Sequence, residues 1–374
     1  MQSIYEGYGS YLSISNIVNT TGAKRLMVVC DSSFDKFTVP IRETIESLSA
    51  DIIYFTEFTA NPDYDDIIDG VKLFLDEKCD FIISVGGGSA IDVAKCIIAA
   101  EQTANISRIT DNCSGVMRDN DDFVLRKELR CEHLAIPTTA GTGSEATHFA
   151  VIYKNGDKIS IEHEKLSPDY VVLEPGFLET LPMYQKKSTM LDALCQAIES
   201  MWAKGSTDES YEYAKEAKRI ITEHADSYIA GDKESAALML RAANISGKAI
   251  NISKTTAAHA MSYKLSTLFG IAHGHAVALC LPHVWRHYLQ CTMHNSQFTI
   301  HDAQTDSSSF DAFVDLFTKL DMYCEFEYDD DTVEQLVESV NVQRLNNHPV
   351  YISKEALFGM YRDLLTNGIT PQTM

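Results

Sequence analysis

The sequence predicts two halves, an α/β half built on a parallel sheet and a half made only of helices. Three observations carry that prediction. Short β-branched runs alternate with amphipathic segments up to about residue 180. Two loops rich in glycine and hydroxyl side chains each follow such a run directly. From Pro182 onward, long apolar periodicity proceeds with hardly any glycine or proline punctuation. The expected division is 1–180 and 181–374.

Arg25-Leu-Met-Val-Val-Cys30 is the first run and ends at the turn-forming Asp31-Ser-Ser33. Asp51-Ile-Ile-Tyr-Phe55 is the second, and Asp80-Phe-Ile-Ile-Ser-Val85 the third, halted by three glycines. Between the last two, Tyr64 to Lys78 carries Ile67, Ile68, Val71, Leu73 and Phe74 at helical spacing. His133-Leu-Ala-Ile136 is a further buried run. Phe149–Tyr153 and Lys158–Ile161 read as a hairpin, with Asn155-Gly156 supplying the two φ > 0 positions of a type I′ turn. Beyond Pro175-Gly176 and Pro182, helices are expected over Tyr184–Lys204, Glu209–Ala230 and Lys233–Ser253. Acidic clusters at Asp119–Asp122 and Glu325–Asp331 read as solvated loops or helix starts.

The 374 residues carry 53 acids against 31 bases, a net charge of −22. So negative a surface repels phosphate backbones and anionic lipid, which excludes nucleic acid or a membrane surface as main partner. The nine cysteines include no Cys-x-x-Cys pair, and Cys30, Cys96, Cys195 and Cys280 lie in apolar runs. Free thiols in a reducing compartment are expected. Met1-Gln-Ser-Ile-Tyr-Glu-Gly-Tyr8 shows neither a basic nor an apolar leader region, and no stretch reaches the ~20 apolar residues of a membrane span. The expectation is a cytoplasmic protein.

Val85-Gly86-Gly87-Gly88-Ser89-Ala90-Ile91-Asp92 follows a strand and opens a helix over Ala90–Ala100. Glycines allow close backbone approach, and the helix start offers free N–H groups and a positive dipole end to a pyrophosphate. Pro137-Thr-Thr-Ala-Gly141-Thr-Gly143-Ser-Glu145 follows another strand and ends in a helix-capping Ser/Glu pattern. Two such loops at strand C-termini suit a dinucleotide crevice.

The segments GGGSAIDVAK, PTTAGTGSEAT and HGHAVALCLPHV, with Asn61-Pro62 and Leu166–Pro175 in order, resemble the iron-containing (group III) alcohol dehydrogenase family over roughly residues 3 to 290. The resemblance implies the dehydroquinate synthase-like fold of that family: an α/β dinucleotide-binding domain, an all-α domain, NAD(H) or NADP(H), and a divalent metal, Fe²⁺ or Zn²⁺, in the cleft between them. It implies a homodimer as well. Pyrophosphate contacts carry over to Gly87, Gly88, Ser89 and Asp92, and the nicotinamide side to Thr138, Thr139, Thr142 and Ser144. Asp31 matches the position facing the adenine ribose, where a carboxylate favours NAD over NADP.

His259, His273 and His275 cluster in one segment, but a straight helix would separate the first two by ~21 Å. Gly270 and Gly274 matter here, because a helix end near Phe269 and a turn at Gly270 return His273 towards His259. By resemblance the metal ligands are Asp192, the residue four later, His259 and His273. That second position holds Gln196 in place of the family's His, so weaker metal binding is expected. Tyr263 stands where the family often has another His; with a reference pKa near ~10 it is a poor shuttle, and His275 is the candidate replacement in the proton relay.

The segments Gln196–Ser210 and Ser253–Lys264 look like the branch that includes phosphonoacetaldehyde reductases, which form 2-hydroxyethylphosphonate. A dianionic substrate needs a local cationic pocket in so acidic a chain. Lys254 first, then Lys264, are the candidates, with Lys204 nearby in sequence. The readings that stand beside this are reduction of uncharged short-chain aldehydes or diols, a lyase like dehydroquinate synthase, and a metal-deficient dinucleotide-binding protein.

Overall fold

The computed structural model describes residues 2–31, 34–60, 62–103, 116–117, 131–154, 157–292 and 306–367. The Asn155-Gly156 turn, Ser32-Ser33, Asn61, the Asp119–Asp122 cluster and His301 lie outside the described residues. The chain divides into two compact units, one of Met1–Leu181 with Gly231–Gly247, the other of Pro182–Ala230 with Lys248–Met374.

In the first unit the elements run β1 (Ser3–Glu6), α1 (Ser13–Thr21), β2 (Arg25–Cys30), α2 (Ile41–Glu46), β3 (Asp51–Phe55), α3 (Tyr64–Asp76), β4 (Phe81–Gly86), α4 (Gly88–Thr103), β5 (Val116–Met117), β6 (Glu132–Pro137), β7 (Phe149–Lys154), β8 (Asp157–Glu162), β9 (Tyr170–Leu173) and α5 (Gly176–Glu179). Six strands form one sheet in the order β1-β9-β6-β4-β2-β3, every pairing parallel. The pleat explains the uninterrupted apolar runs. Met27, Val29 and Ile82 face a layer with Val71, Phe74 and Ile97, whereas Leu26, Val28 and Ile83 face Ile14, Ile17 and Ile45. Parallel strands covered on both faces are apolar at every position. The predicted hairpin is β7 against β8, antiparallel with Lys154 opposite Asp157. Strand β1, at the sheet edge, has too few apolar residues to be read from sequence.

Helices α6 (Met183–Trp202), α7 (Asp208–Ile229), α8 (Lys233–Ser253), α9 (Ala257–Phe269), α10 (His273–Thr292), α11 (Ser307–Lys319), α12 (Asp330–Glu338), α13 (Val342–Asn346) and α14 (Lys354–Asn367) complete the chain. Helix α8 contributes its first part to the first unit and its end to the second. In the acidic cluster at 325–331, Asp329 caps α12 by accepting the Thr332 N–H at 2.8 Å. No helix among the described residues is long and apolar enough to cross a membrane. All the described cysteines are free thiols, and Cys30, Cys96, Cys195 and Cys280 are buried.

Candidate functional site

The two loops expected to hold a dinucleotide face each other at the C-terminal ends of β4 and β6. The Thr138 N–H donates to the Gly86 carbonyl at 3.0 Å. A side chain built at Gly88 would meet the Thr142 Cγ2 and Oγ1 atoms at 3.0 Å, and one at Gly87 would lie 3.7 Å from Thr139 Oγ1. Gly86 has φ 159°, and a Cβ there would meet Ala90 Cβ at 2.7 Å and Asp31 Oδ2 at 3.4 Å. The absent side chains leave a cradle at the start of α4, where unpaired N–H groups and the dipole favour an anion. A pyrophosphate fits that chemistry. The Asp31 carboxylate stands beside it at the end of β2.

Three of the expected contacts spend their side chains within the protein. The Ser144 hydroxyl donates to Asp92 Oδ1 at 2.5 Å, and Asp92 Oδ2 accepts the Val151 N–H at 3.0 Å. The Ser89 hydroxyl donates to the Ala60 carbonyl. Asp92 and Ser144 therefore brace the second loop. No helix begins at Ser144-Glu145, contrary to the capping pattern: a single 3₁₀ turn covers Ser144–Ala146. Ser144 is engaged by Asp92, and Glu145 accepts from Asn244 Nδ2 at 3.0 Å.

Sequence reading missed Lys95, the last residue of GGGSAIDVAK. Wholly buried, its ammonium donates to the Ser144 carbonyl at 2.6 Å, Thr147 Oγ1 at 2.9 Å and the Phe149 carbonyl at 2.8 Å. A buried charge is tolerated only when so surrounded. Together Asp92 and Lys95 tie the second loop to α4 through one face of that helix, at positions i and i+3.

The second unit assembles the other constellation. Helix α9 ends at Gly270, whose left-handed φ of 67° reverses the chain. That turn brings His273, at the start of α10, against His259, with ring centroids 5.5 Å apart. Gly274 acts differently from Gly270. It lies inside α10, where an added Cβ would fall on the Ser188 carbonyl and 2.7 Å from Asp192 Cβ. The missing side chain lets α10 lie directly on α6. As a result one ligand atom from each of Asp192, His259 and His273 comes within 4.8 Å of the others. Gln196, buried, follows Asp192 by one turn on the same face of α6.

Electrostatics show that this cluster fits a cation. Glu199, wholly buried on α6, accepts the Thr256 N–H at 3.2 Å, the Thr256 hydroxyl at 2.6 Å and the Ala258 N–H at 2.9 Å. Its other oxygen accepts from His259 Nδ1. Burial alone would push the Glu199 carboxyl up, but His259 and these donors hold it below the usual carboxylate range. The Nδ1–H is thereby fixed, and the lone pair of His259 Nε2 is left facing Asp192 Oδ1 at 3.4 Å. That nitrogen is buried with no hydrogen-bond partner. Two histidines and a carboxylate, one histidine backed by a second carboxylate, suit Fe²⁺ or Zn²⁺. Burial opposes protonation of His259, yet Glu199 and Asp192 outweigh it and raise its pKa. The same field favours a metal ion. Glu199 was legible in principle, as an acid seven residues after Asp192 inside an apolar helix.

Tyr263 and His275 take different places. The Tyr263 ring stacks on His273, centroids 5.5 Å apart and 6° from parallel. His275 Nε2–H donates to the Met322 carbonyl at 2.6 Å, and Nδ1 accepts from the Tyr184 hydroxyl at 3.1 Å. Burial lowers its pKa. Both ring nitrogens of His275, the residue expected in the proton relay, are thus engaged within the protein. Through Tyr184, whose oxygen accepts the Ala272 N–H at 2.9 Å, His275 anchors the turn that presents His273. Of the lysines, Lys264 is exposed, Lys254 Nζ lies 3.5 Å from the Asn251 carbonyl, and Lys204 Nζ donates to the Asn346 carbonyl at 3.0 Å.

The family model described as iron-containing alcohol dehydrogenase matches residues 2–175, and the model of the family's C-terminal region matches residues 186–365. An NAD-dependent methanol dehydrogenase of Bacillus methanolicus is 30% identical over 74% of this chain and 72% of its own length. A phosphonoacetaldehyde reductase of Streptomyces viridochromogenes is 34% identical over 56% of this chain and 53% of its own. Among solved structures, a sulfoacetaldehyde reductase of Bifidobacterium kashiwanohense in complex with NAD⁺ superposes with a TM-score of 0.85. It is 26% identical, and the match covers 98% of this chain and 97% of that one.

Proposed function

The chain belongs to the iron-containing alcohol dehydrogenase family and is an NAD(P)-dependent oxidoreductase; from that premise we propose that it reduces a short aldehyde bearing an anionic head, phosphonoacetaldehyde first among them, to the corresponding alcohol. Membership of that family sets the lyase and the inactive dinucleotide-binding readings aside. One observation supports the substrate class. Relatives found by sequence and by structure, at 34% and 26% identity, are named for two-carbon aldehydes that carry a phosphonate or a sulfonate.

Asp192, His259 and His273 would hold the metal, with the Gln196 amide oxygen as a fourth, weaker donor. When bound, the metal polarises the carbonyl and the reduced nicotinamide supplies the hydride. The protein's own residues do the rest. Glu199 keeps His259 in the Nδ1–H tautomer, so that Nε2 presents its lone pair. The cradle at Gly86–Gly88, Thr139 and Thr142 receives the pyrophosphate, and the Asp31 carboxylate accepts ribose hydroxyls. Tyr263, fixed by its stacking on His273, offers its phenolic O–H to the product oxygen. The balance is one aldehyde, one hydride and one proton to one alcohol.

Oxidation of NADH, followed at 340 nm with Fe²⁺ or Zn²⁺ supplied, tests the reading. The kcat/KM for phosphonoacetaldehyde should exceed that for propanal by roughly 10-fold or more, the worth of one charge-assisted contact. A preference for propanal refutes it in favour of neutral substrates, the reading the Bacillus methanolicus relative supports.

A further inference from the structure

We infer that Arg344 recognises the anionic head of the substrate and sets the specificity of this site. The inference rests on the anionic-aldehyde reading above and names the residue that would carry it. Arg344 lies on the short helix α13, in a C-terminal stretch whose sequence offers no motif. Its guanidinium carbon sits 5.3 Å from the Tyr263 ring centroid. Tyr263 in turn lies parallel to His273 with centroids 5.5 Å apart. One cation and one ligand histidine thus share a single phenol ring. The two ring contacts laid end to end bound the gap between guanidinium and imidazole. Each lies within one contact of the same ring, so a two-carbon aldehyde with a tetrahedral head is of the size to reach both around the edge of Tyr263.

The setting of Arg344 also suits an oxyanion. Nη1 donates to Thr255 Oγ1 at 2.8 Å, which fixes the plane of the fork. A guanidinium has five N–H donors, so that tie leaves most of the fork for a ligand. The residue is half-buried, and among the described residues no carboxylate pairs with it. In a chain with 53 acids, an arginine one ring away from His273 that pairs with no carboxylate among the described residues is a site able to hold an anion. Its planar fork matches two oxygens of a phosphonate or sulfonate, which a lysine cannot do.

The test uses the full-length, metal-loaded enzyme with NADH and compares Arg344→Met and Arg344→Lys with the unaltered protein. For Arg344→Met, the ratio of kcat/KM for phosphonoacetaldehyde to that for propanal should fall roughly 10- to 100-fold, the range of a charge-assisted hydrogen bond. Arg344→Lys, which keeps the charge and loses the fork, should fall between the two. Methylphosphonate should compete with propanal, and its inhibition constant should rise in step. Equal losses on both aldehydes, or an unchanged inhibition constant, would overturn the assignment to Arg344 while leaving the substrate reading intact. If the unaltered enzyme prefers propanal yet methylphosphonate still competes through Arg344, the anion site stands and the substrate reading fails.

Discussion

Replacing Glu199 by glutamine probes the proposed metal centre without touching any of its proposed ligands. The buried carboxylate receives four donors, from Thr256 N–H, Thr256 O–H, Ala258 N–H and His259 Nδ1–H. A glutamine has one acceptor oxygen and one donor nitrogen in the same space. If the oxygen faces His259, the amide N–H groups oppose the N–H groups of Thr256 and Ala258 at the start of α9, which costs about 1–3 kcal/mol. If the amide turns over, its N–H faces His259 Nδ1 and forces the other tautomer. Nε2 then carries the proton and no longer offers its lone pair beside Asp192. Either arrangement weakens the site. We expect the dissociation constant for Zn²⁺, measured by competition with a chromophoric chelator, to rise about 10- to 100-fold, equivalent to about 1.4–2.7 kcal/mol. Unchanged metal affinity in a folded Glu199→Gln protein would refute the proposed backing of His259.

Four further outcomes follow from the geometry. Gln196→His, which exchanges an amide for an imidazole one turn after Asp192, should tighten metal binding at least 10-fold by the same chelator assay. Lys95→Met leaves the acceptors of Ser144, Thr147 and Phe149 without their buried donor; it should lower stability by about 2–5 kcal/mol in denaturant titration and raise the KM for NADH. Asp31→Ser should raise kcat/KM with NADPH relative to NADH, by removing a carboxylate that repels a 2′-phosphate. His133 and His348 are buried and held down to about 3. The unfolded chain takes up protons below pH ~6.5 where the native state does not, so the stability they contribute is complete above that value and is lost as pH falls. Each should cost about 1.4 kcal/mol by pH 5.5, and His348→Asn should flatten the acid limb of the denaturation profile.

Much of this was legible in the sequence because it is local. The strands β2, β3 and β4 are continuous apolar runs, and a strand buried on both faces has no other signature. The turn at Gly270 was legible as well, since two histidines fourteen residues apart can meet only if the helix breaks. What escaped was long-range. Nothing near Ser144 in sequence announces that Asp92 will claim its hydroxyl, so a side chain typical of a ligand contact became a loop brace. The His275 ring is engaged by Tyr184, 91 residues away, and by the Met322 carbonyl. Arg344 was invisible for the same reason: its meaning comes from the ring beneath it, and Tyr263 lies in another helix.

The packing at Gly274 carries a consequence for how such a centre can change over time. Where two helices touch main chain to main chain, the separation of the groups they bear is indifferent to the side chains around them. Drift in the surrounding core can therefore proceed without altering the spacing between Asp192 and His273. The strength with which the site would hold an ion then turns on the donor atoms themselves and less on how their neighbours pack. Gln196, one turn after Asp192 on the same face of α6, is the position at which a change of donor atom would act.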